Sequence, residues 1–214
     1  MTRDGRVQTF RDRRDAGRQL AEHLRHLYGS EPIVLGIVRG GMPVAVEVAA
    51  CLEGRLGAIW VKKLGAPGNP EYALGAISDQ GDPVFSEPLS VNQAEVQAVV
   101  QRRLHELEQW RRRFGENPLW ADCKGRIVVV CDDGMATGSS MRAALRRVRT
   151  HAPARLVAAV PVAPLDTVQR MSAEADEMIT VLRPADFYAV GAYYEDFRPV
   201  SDDEVADYLR TARR

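Results

Sequence analysis

No apolar run in this chain approaches the roughly 20 residues that a membrane-spanning helix requires, so no membrane partner is expected. Net charge is missing as well: 29 Lys and Arg offset 29 Asp and Glu, interspersed along 214 residues. Without an excess of positive charge there is no broad electrostatic footprint for nucleic acid, and only a local basic patch could serve that purpose. Cysteine is scarce. Cys51, Cys123 and Cys131 have neither metal-ligand spacing nor an even disulfide framework, and Cys51 and Cys131 stand among apolar neighbours as buried free thiols would. An odd, unframed set fits a reducing compartment, so the expected location is cytoplasmic. The stretch from Met1 to Arg14 is basic without an apolar core and does not read as a signal peptide. Two nucleotide fingerprints are also missing: no Gly-x-Gly-x-x-Gly opens a helix after the first strand, and there is no Walker A lysine. A dinucleotide-dependent dehydrogenase is thereby set aside. The length suits a single α/β domain spanning residues 1–214.

What the chain does contain is organised around residues 125–141, Gly-Arg-Ile-Val-Val-Val-Cys-Asp-Asp-Gly-Met-Ala-Thr-Gly-Ser-Ser-Met. Ile127 to Cys131 is an uninterrupted apolar run rich in β-branched residues, the pattern of a strand buried on both faces. Asp132 and Asp133 follow at its carboxyl end, then a loop of small residues from Gly134 through Met135, Ala136, Thr137, Gly138 and Ser139 to Ser140, then a helix through Met141, Ala144, Leu145 and Val148. In an open α/β sheet, ligands sit beyond the carboxyl ends of the strands. The glycines let backbone N–H groups turn inward, the helix start adds its positive dipole end, and three hydroxyls add donors. That combination cradles a phosphate monoester. Two carboxylates would repel a phosphate in direct contact. One sugar-length away they can accept from a ribose diol or hold a hydrated cation. Phosphate and diol together describe a ribose 5-phosphate.

Strand, paired acids and a small-residue loop with Thr-Gly resemble the phosphoribosyl-pyrophosphate (PRPP) motif of the type I phosphoribosyltransferases, and Asp-Asp-Gly-Met-Ala-Thr-Gly-Ser-Ser is closest to the adenine version. The resemblance covers roughly residues 31 to 195. It implies an open, mostly parallel twisted sheet flanked by helices, with a flexible hairpin loop and a small hood, and it implies a homodimer. The chain is most similar to a small group of bacterial phosphoribosyltransferases known mainly as predicted enzymes.

The rest of the chain is consistent with such a sheet. Helical spacing of Ala16, Leu20, Leu24 and Leu27 from Asp12 onward predicts a covering helix ending near Gly29. Ile33 to Val38 reads as a second buried strand, and Arg39-Gly40-Gly41 ends it with a tight turn suited to another anion, followed by a helix from Met42 to Leu52. By the resemblance this turn is the pyrophosphate loop, often carrying a strained peptide bond in the family. Ala58 to Val61 is a third strand running into Lys62 and Lys63; the resemblance sends one of the two toward the phosphates without choosing between them. Leu64 to Ala73 is rich in Gly and Pro and predicts a mobile loop rather than a sheet element, with Tyr72–Ser78 and Pro83–Phe85 as a hairpin behind it. Residues 90–115 form a helical insertion: Ser90 with Gln93 resembles a capping box, and Val96, Val99, Val100, Leu104, Leu107, Trp110 and Phe114 make one apolar stripe. Its arginines form either a solvated face or a nucleic-acid patch, and the helix could belong to a subunit interface. Arg155–Val162 and Glu177–Leu182 are strands around a helix at Leu165–Ala175; Asp202–Leu209 is a closing helix capped by Ser201. Between them residues 183–200 form the hood, which in the family lies over the acceptor. There Phe187 and Tyr188 would stack on a flat nitrogen heterocycle, unless these aromatics pack inward.

The implied reaction moves a 5-phosphoribosyl group from PRPP to an acceptor nitrogen and releases pyrophosphate, with Mg²⁺ as cofactor bound by Asp132 and Asp133 through ribose hydroxyls or water. Asp132, Asp133, Arg39, Lys63 and Glu71 are the expected catalytic residues. Gly40, Gly41, Lys62 and the residues of the 134–140 loop are the expected binding residues. One departure narrows the acceptor. Hypoxanthine-type enzymes carry an acid where this chain has Ala136, whereas adenine-type enzymes use a loop glutamate, for which Glu71 is the nearest candidate. The rival reading is a PRPP-sensing regulator without catalysis that binds nucleic acid or a protein partner.

Overall fold

The computed structural model describes residues 9–86 and 92–212, apart from the side chains of 70, 71 and 212. A seven-stranded sheet in the order β4-β3-β2-β1-β5-β6-β7 runs through it. The strands are β1 (Ile33–Val38), β2 (Arg55–Ala66), β3 (Asn69–Ser78), β4 (Val84–Phe85), β5 (Ile127–Cys131), β6 (Arg155–Val162) and β7 (Glu177–Leu182). The five from β2 to β7 pair in parallel, and β3 and β4 add antiparallel at one edge. The sheet is therefore mostly parallel and flanked by helices.

Successive side chains of a strand point to opposite faces, so a run apolar at every position must be covered on both. β5 shows this directly. Val128 and Val130 face a core with Met141, Leu145 and Val148 of α4 (Ser139–Arg149) and Val168 and Met171 of α5 (Leu165–Met171). Val129 and Cys131 face the other core, with Leu20 and Leu24 and with Val44, Val48 and Leu52 of α2 (Gly41–Leu52). Each such side chain, fully buried, contributes about 1.5–3 kcal/mol. Leu20 belongs to α1 (Arg13–His23), which starts at Asp12, whose carboxylate accepts from the Asp15 backbone N–H at 2.7 Å. α6 (Asp202–Ala212) starts with the reciprocal bonds of a capping box: Glu204 N–H to Ser201 Oγ at 3.1 Å, and Ser201 N–H to Glu204 Oε2 at 2.8 Å.

Several expectations are corrected. Leu64 to Ala73 is part of a long hairpin, not a loop: β2 continues to Ala66 and β3 begins at Asn69, with register shifts at Gly65 accommodating the break. Glycine and proline suggested a loop, but Leu64 and Leu74 bury against α3 (Gln93–Phe114) and hold the strands in the sheet. The cap of α3 is Asn92, accepting from Ala94 N–H at 2.9 Å; Ser90 lies outside the described residues. α5 ends at Met171, four residues early. Cys51 is only half-buried, whereas Cys123 and Cys131 are buried.

The apolar stripe of α3 packs as expected. Trp60 of β2, 2% exposed, stacks on Phe114 at 5.3 Å and meets Trp110 edge-on at 6.0 Å. The arginines of the same helix are largely neutralised by acids. Arg103 pairs with Glu106, Arg111 with Glu116, Arg112 with Glu108, and Arg113 with Asp202 and Asp203. This is a salt-bridge-laced face and gives no support to a nucleic-acid patch.

Candidate functional site

β1 sits between β2 and β5, and its crossover helix α2 covers one face while α4, which follows β5, covers the other. The connections therefore diverge at the carboxyl ends of β1 and β5, where a crevice must open. A cleft of about 710 Å³ lies there. The turn after β1 forms one wall, the loop after β5 the floor, the β2–β3 hairpin a second wall, and residues 188–200 the roof.

The two turns meet so closely that a side chain on Gly40 or Gly41 would collide with the acids' segment. A Cβ at Gly40 would stand 2.2 Å from Asp133 Oδ2, and one at Gly41 would stand 2.5 Å from the Cys131 carbonyl. The peptide between Val38 and Arg39 is cis. Arg39 lines the cleft, with Nη1 3.5 Å from Asp202 Oδ1 at the start of α6.

On the floor, Gly138 takes φ +84° and is the N-cap of α4, with no side chain to cap it; in the first turn only Ser139 N–H has a side-chain acceptor, a long contact of 3.5 Å to Thr137 Oγ1. Backbone N–H groups at that helix start thus remain available to an anion. The loop is fixed from behind: Met135 N–H donates to Val162 O at 2.9 Å, and Thr167 Oγ1 donates to Ala136 O at 2.8 Å. Its hydroxyls form a short chain in which Ser139 Oγ lies 3.0 Å from Thr137 Oγ1 and 2.6 Å from Ser86 Oγ. Ser86 follows β4, so the hairpin edge reaches the loop. All residues from Asp132 to Met141 line the cleft.

Asp132 and Asp133 stand between the two turns. Desolvation raises the Asp132 carboxyl well above the usual range, and the Asp133 charge adds to this, against Lys63 and Arg13. Desolvation also raises Asp133, opposed by the Arg13 guanidinium and by Lys63. Arg13 Nε donates to Asp133 Oδ2 at 2.7 Å. Tyr194 donates its hydroxyl to the Asp133 carbonyl at 2.5 Å, and burial pushes that phenol up.

The residues named from sequence divide accordingly. Arg39, Gly40, Lys63, Asp132, Asp133, residues 134–140 and Tyr188 share the one cleft, and Gly41 abuts its floor. Two do not join them. Lys62 turns to α3, where Nζ lies 3.2 Å from Glu106 Oε2 and 3.7 Å from the Trp110 ring centroid, because neighbours on a strand face opposite ways. Phe187 stacks on Tyr193 at 5.6 Å under the hood, while Tyr188 is 95% exposed at the cleft rim. The side chain of Glu71 lies outside the described residues. Sequence reading passed over Arg13, Ser86 and Phe197, and it gave Tyr194 a place among the hood aromatics that could stack on the acceptor, whereas its hydroxyl holds the Asp133 carbonyl. Arg13 sits in a run of charged residues, Arg11 to Asp15, and only its burial, 9% exposed, distinguishes it.

A family model described as a phosphoribosyl transferase domain matches residues 11–197. A Mycobacterium tuberculosis protein carrying the name "Putative phosphoribosyl transferase" is 42% identical over 212 residues, in each of two strains. That match covers 97% of this chain but 48% of the relative, so the chain spans about half the length of the curated relatives it matches. The crystal structure of TT1426 from Thermus thermophilus is 45% identical, with a TM-score of 0.75 over 94% of this chain and 98% of that one. The AQ2163 protein of Aquifex aeolicus shares the fold at 14% identity, with a TM-score of 0.50 over 79% of this chain and 73% of its own. A domain match that runs from the first helix to the hood and takes in both turns of the cleft leaves one conclusion: the chain belongs to the phosphoribosyltransferase domain family.

Proposed function

We propose that this chain transfers a 5-phosphoribosyl group from PRPP to a nitrogen of a small heterocyclic acceptor and releases pyrophosphate. The observation that carries this reading is the convergence, in one cleft, of two anion-accepting turns with a pair of carboxylates between them. The loop from Gly134 to Ser140 takes the 5-phosphate on the uncapped start of α4 and its hydroxyls. The turn Arg39–Gly41 takes the pyrophosphate. Asp132 and Asp133, packed against the glycines of that turn, accept from the ribose diol.

No protein nucleophile is required. As the C1–O bond breaks, positive charge develops on the ribose and negative charge on the leaving pyrophosphate. Fixed groups aimed at those charges lower the barrier, and positioning of the acceptor supplies the remainder. Arg39 and Lys63 face the leaving group, and the two acids face the sugar. The donor set suits a hard cation that arrives with substrate: among the described residues no group of three or more His, Cys, Asp or Glu could cage one, and one or two carboxylates with phosphate oxygens and water are the usual surroundings of Mg²⁺. Asp132 and Asp133 would hold Mg²⁺ there, directly or through water, and its charge would offset that of the leaving pyrophosphate. Glu71 is retained as a candidate acid or base toward the acceptor.

The roof separates the two hood aromatics into distinct roles. Tyr188→Ala should raise KM for the acceptor several-fold while melting at the wild-type temperature, since the ring lies almost wholly in solvent at the cleft rim. Phe187→Ala should lower Tm through loss of the stack on Tyr193 and leave the acceptor KM unchanged. Steady-state kinetics and thermal melts of both variants check this, and an exchange of the two phenotypes would refute the assignment. The activity itself is tested by incubating the protein with PRPP, Mg²⁺ and pooled nitrogen heterocycles. Pyrophosphate release that depends on one acceptor supports transfer. Donor binding without release from any pool would favour the sensor reading instead.

A further inference from the structure

Arg13 has no part in the reading above, yet it is the only described side chain that hydrogen-bonds to the Asp133 carboxylate. It comes from the first turn of α1, 120 residues away in sequence. Three contacts fix its guanidinium: Nε to Asp133 Oδ2 at 2.7 Å, Nη1 to the Arg198 carbonyl at 2.8 Å, and its flat face 3.8 Å above the Phe197 ring. Phe197 in turn tilts against Tyr194 at 4.9 Å, and Tyr194 holds the Asp133 main-chain carbonyl. Behind Oδ2 stands Gly40, close enough that a methyl group would collide with it. The carboxylate is thus clamped on its Oδ2 side, by Arg13 in front and the pyrophosphate turn behind.

We propose that Arg13 is a positioning residue of the sugar site: by engaging Oδ2 it aims Oδ1 of Asp133 into the cleft, so that this one oxygen meets the ribose diol. The inference rests on the donor reading given above. Chemistry favours arginine for the task. A planar fork can serve two acceptors while lying flat on a ring, and it holds its charge when buried. A lysine at this position could reach the carboxylate or the Arg198 carbonyl, not both with its face on Phe197. A purely structural alternative is that Arg13 ties α1 to the hood and would act on stability alone.

A double-mutant cycle on donor binding separates these. PRPP with Mg²⁺ is titrated by calorimetry into the wild type, Arg13→Met, Arg13→Lys, Asp133→Asn and the two double variants, with a thermal melt for each. Arg13→Met should weaken binding about 10- to 100-fold, the range expected for a charge-assisted hydrogen bond, and Arg13→Lys by less. In the Asp133→Asn background either substitution at Arg13 should change binding no more than about twofold, because the group it aims is already altered. Wild-type affinity in Arg13→Met, or losses that multiply in the double variants, would overturn the inference. If Arg13→Met does not fold, the Arg13→Lys cycle gives the same readout. A wild type that does not bind the donor would refute the functional reading itself, an outcome visible before any variant is compared.

Discussion

Gly40→Ala should bind PRPP about 100-fold more weakly than the wild type, a loss of ~2.7 kcal/mol, while remaining folded. Nothing in the backbone forbids alanine there: Gly40 has φ −60° and ψ −31°, an ordinary helical conformation. The obstacle is the Asp133 carboxylate, 2.2 Å from the added methyl carbon at Oδ2 and 2.8 Å at Cγ. Arg13 holds that carboxylate in place, so relief requires it to swing out of the position from which it would meet the sugar. Gly41→Ala should behave differently. Its methyl would meet the main-chain carbonyl of Cys131, at the end of β5, where no rotamer change can yield. Overpacking of this kind costs about 1–3 kcal/mol, and for a domain of this size each 1 kcal/mol lowers Tm by roughly 2–4 °C. The pair therefore divides one turn into a position that sets binding and a position that sets stability. Calorimetry and thermal melts of both variants check this; a Gly40→Ala protein with wild-type affinity would mean that Asp133 does not meet the donor.

Asp79→Asn should stabilise the protein at pH 8 by up to about 3 kcal/mol and change little at pH 4. Asp79 follows directly on β3 and is 7% exposed, and its Oδ1 has no hydrogen-bond partner. Burial pushes its carboxyl up to about 6, against the opposing charges of Arg147 and Arg111. The sign follows from the direction. An unfolded aspartate titrates near ~3.9, so below about pH 4 both states carry the proton and Asp79 is neutral in its effect. Between about 4 and 6 the unfolded chain releases its proton first and the folded state loses stability. Above about 6 the penalty is complete, at roughly 1.4 kcal/mol per pH unit between the two values. Asparagine never charges, so its stability should lose this slope. Urea melts at pH 4, 6 and 8 would show it; a slope unchanged in Asp79→Asn would assign the pH dependence to other groups.

How much of this could be read from the sequence follows from how local each signal is. The strands β1, β5 and β6 were legible to the residue because a doubly covered strand is a nearly continuous apolar run with polar turns at its ends, and the half-exposed edge strand β7 was legible from its Met-Ile-x-Val-Leu run. The 134–140 loop and its acids were legible because one short segment carries the whole grammar of strand, acids, small residues and helix start. Both failures around the hairpin have the opposite character. Gly65, Pro67 and Gly68 break local propensity, and the pairing of β2 with β3 depends on Leu64 and Leu74 reaching α3, a contact between distant segments. Lys62 and Lys63 could not be ranked until the strand was known to continue past them, after which alternation alone separates them. Arg13 was not legible at all. Its partner Asp133 is brought to it only when α1 docks on the sheet, and no spacing in the chain encodes that distance.

Calorimetric titration of the wild-type protein decides whether the cleft binds PRPP with a divalent cation. Saturable heat is expected from PRPP with Mg²⁺, abolished by EDTA and weakened about 10- to 100-fold by Asp133→Asn. No heat at millimolar PRPP with Mg²⁺, or equal affinity in the wild type and Asp133→Asn, would contradict donor binding in the cleft.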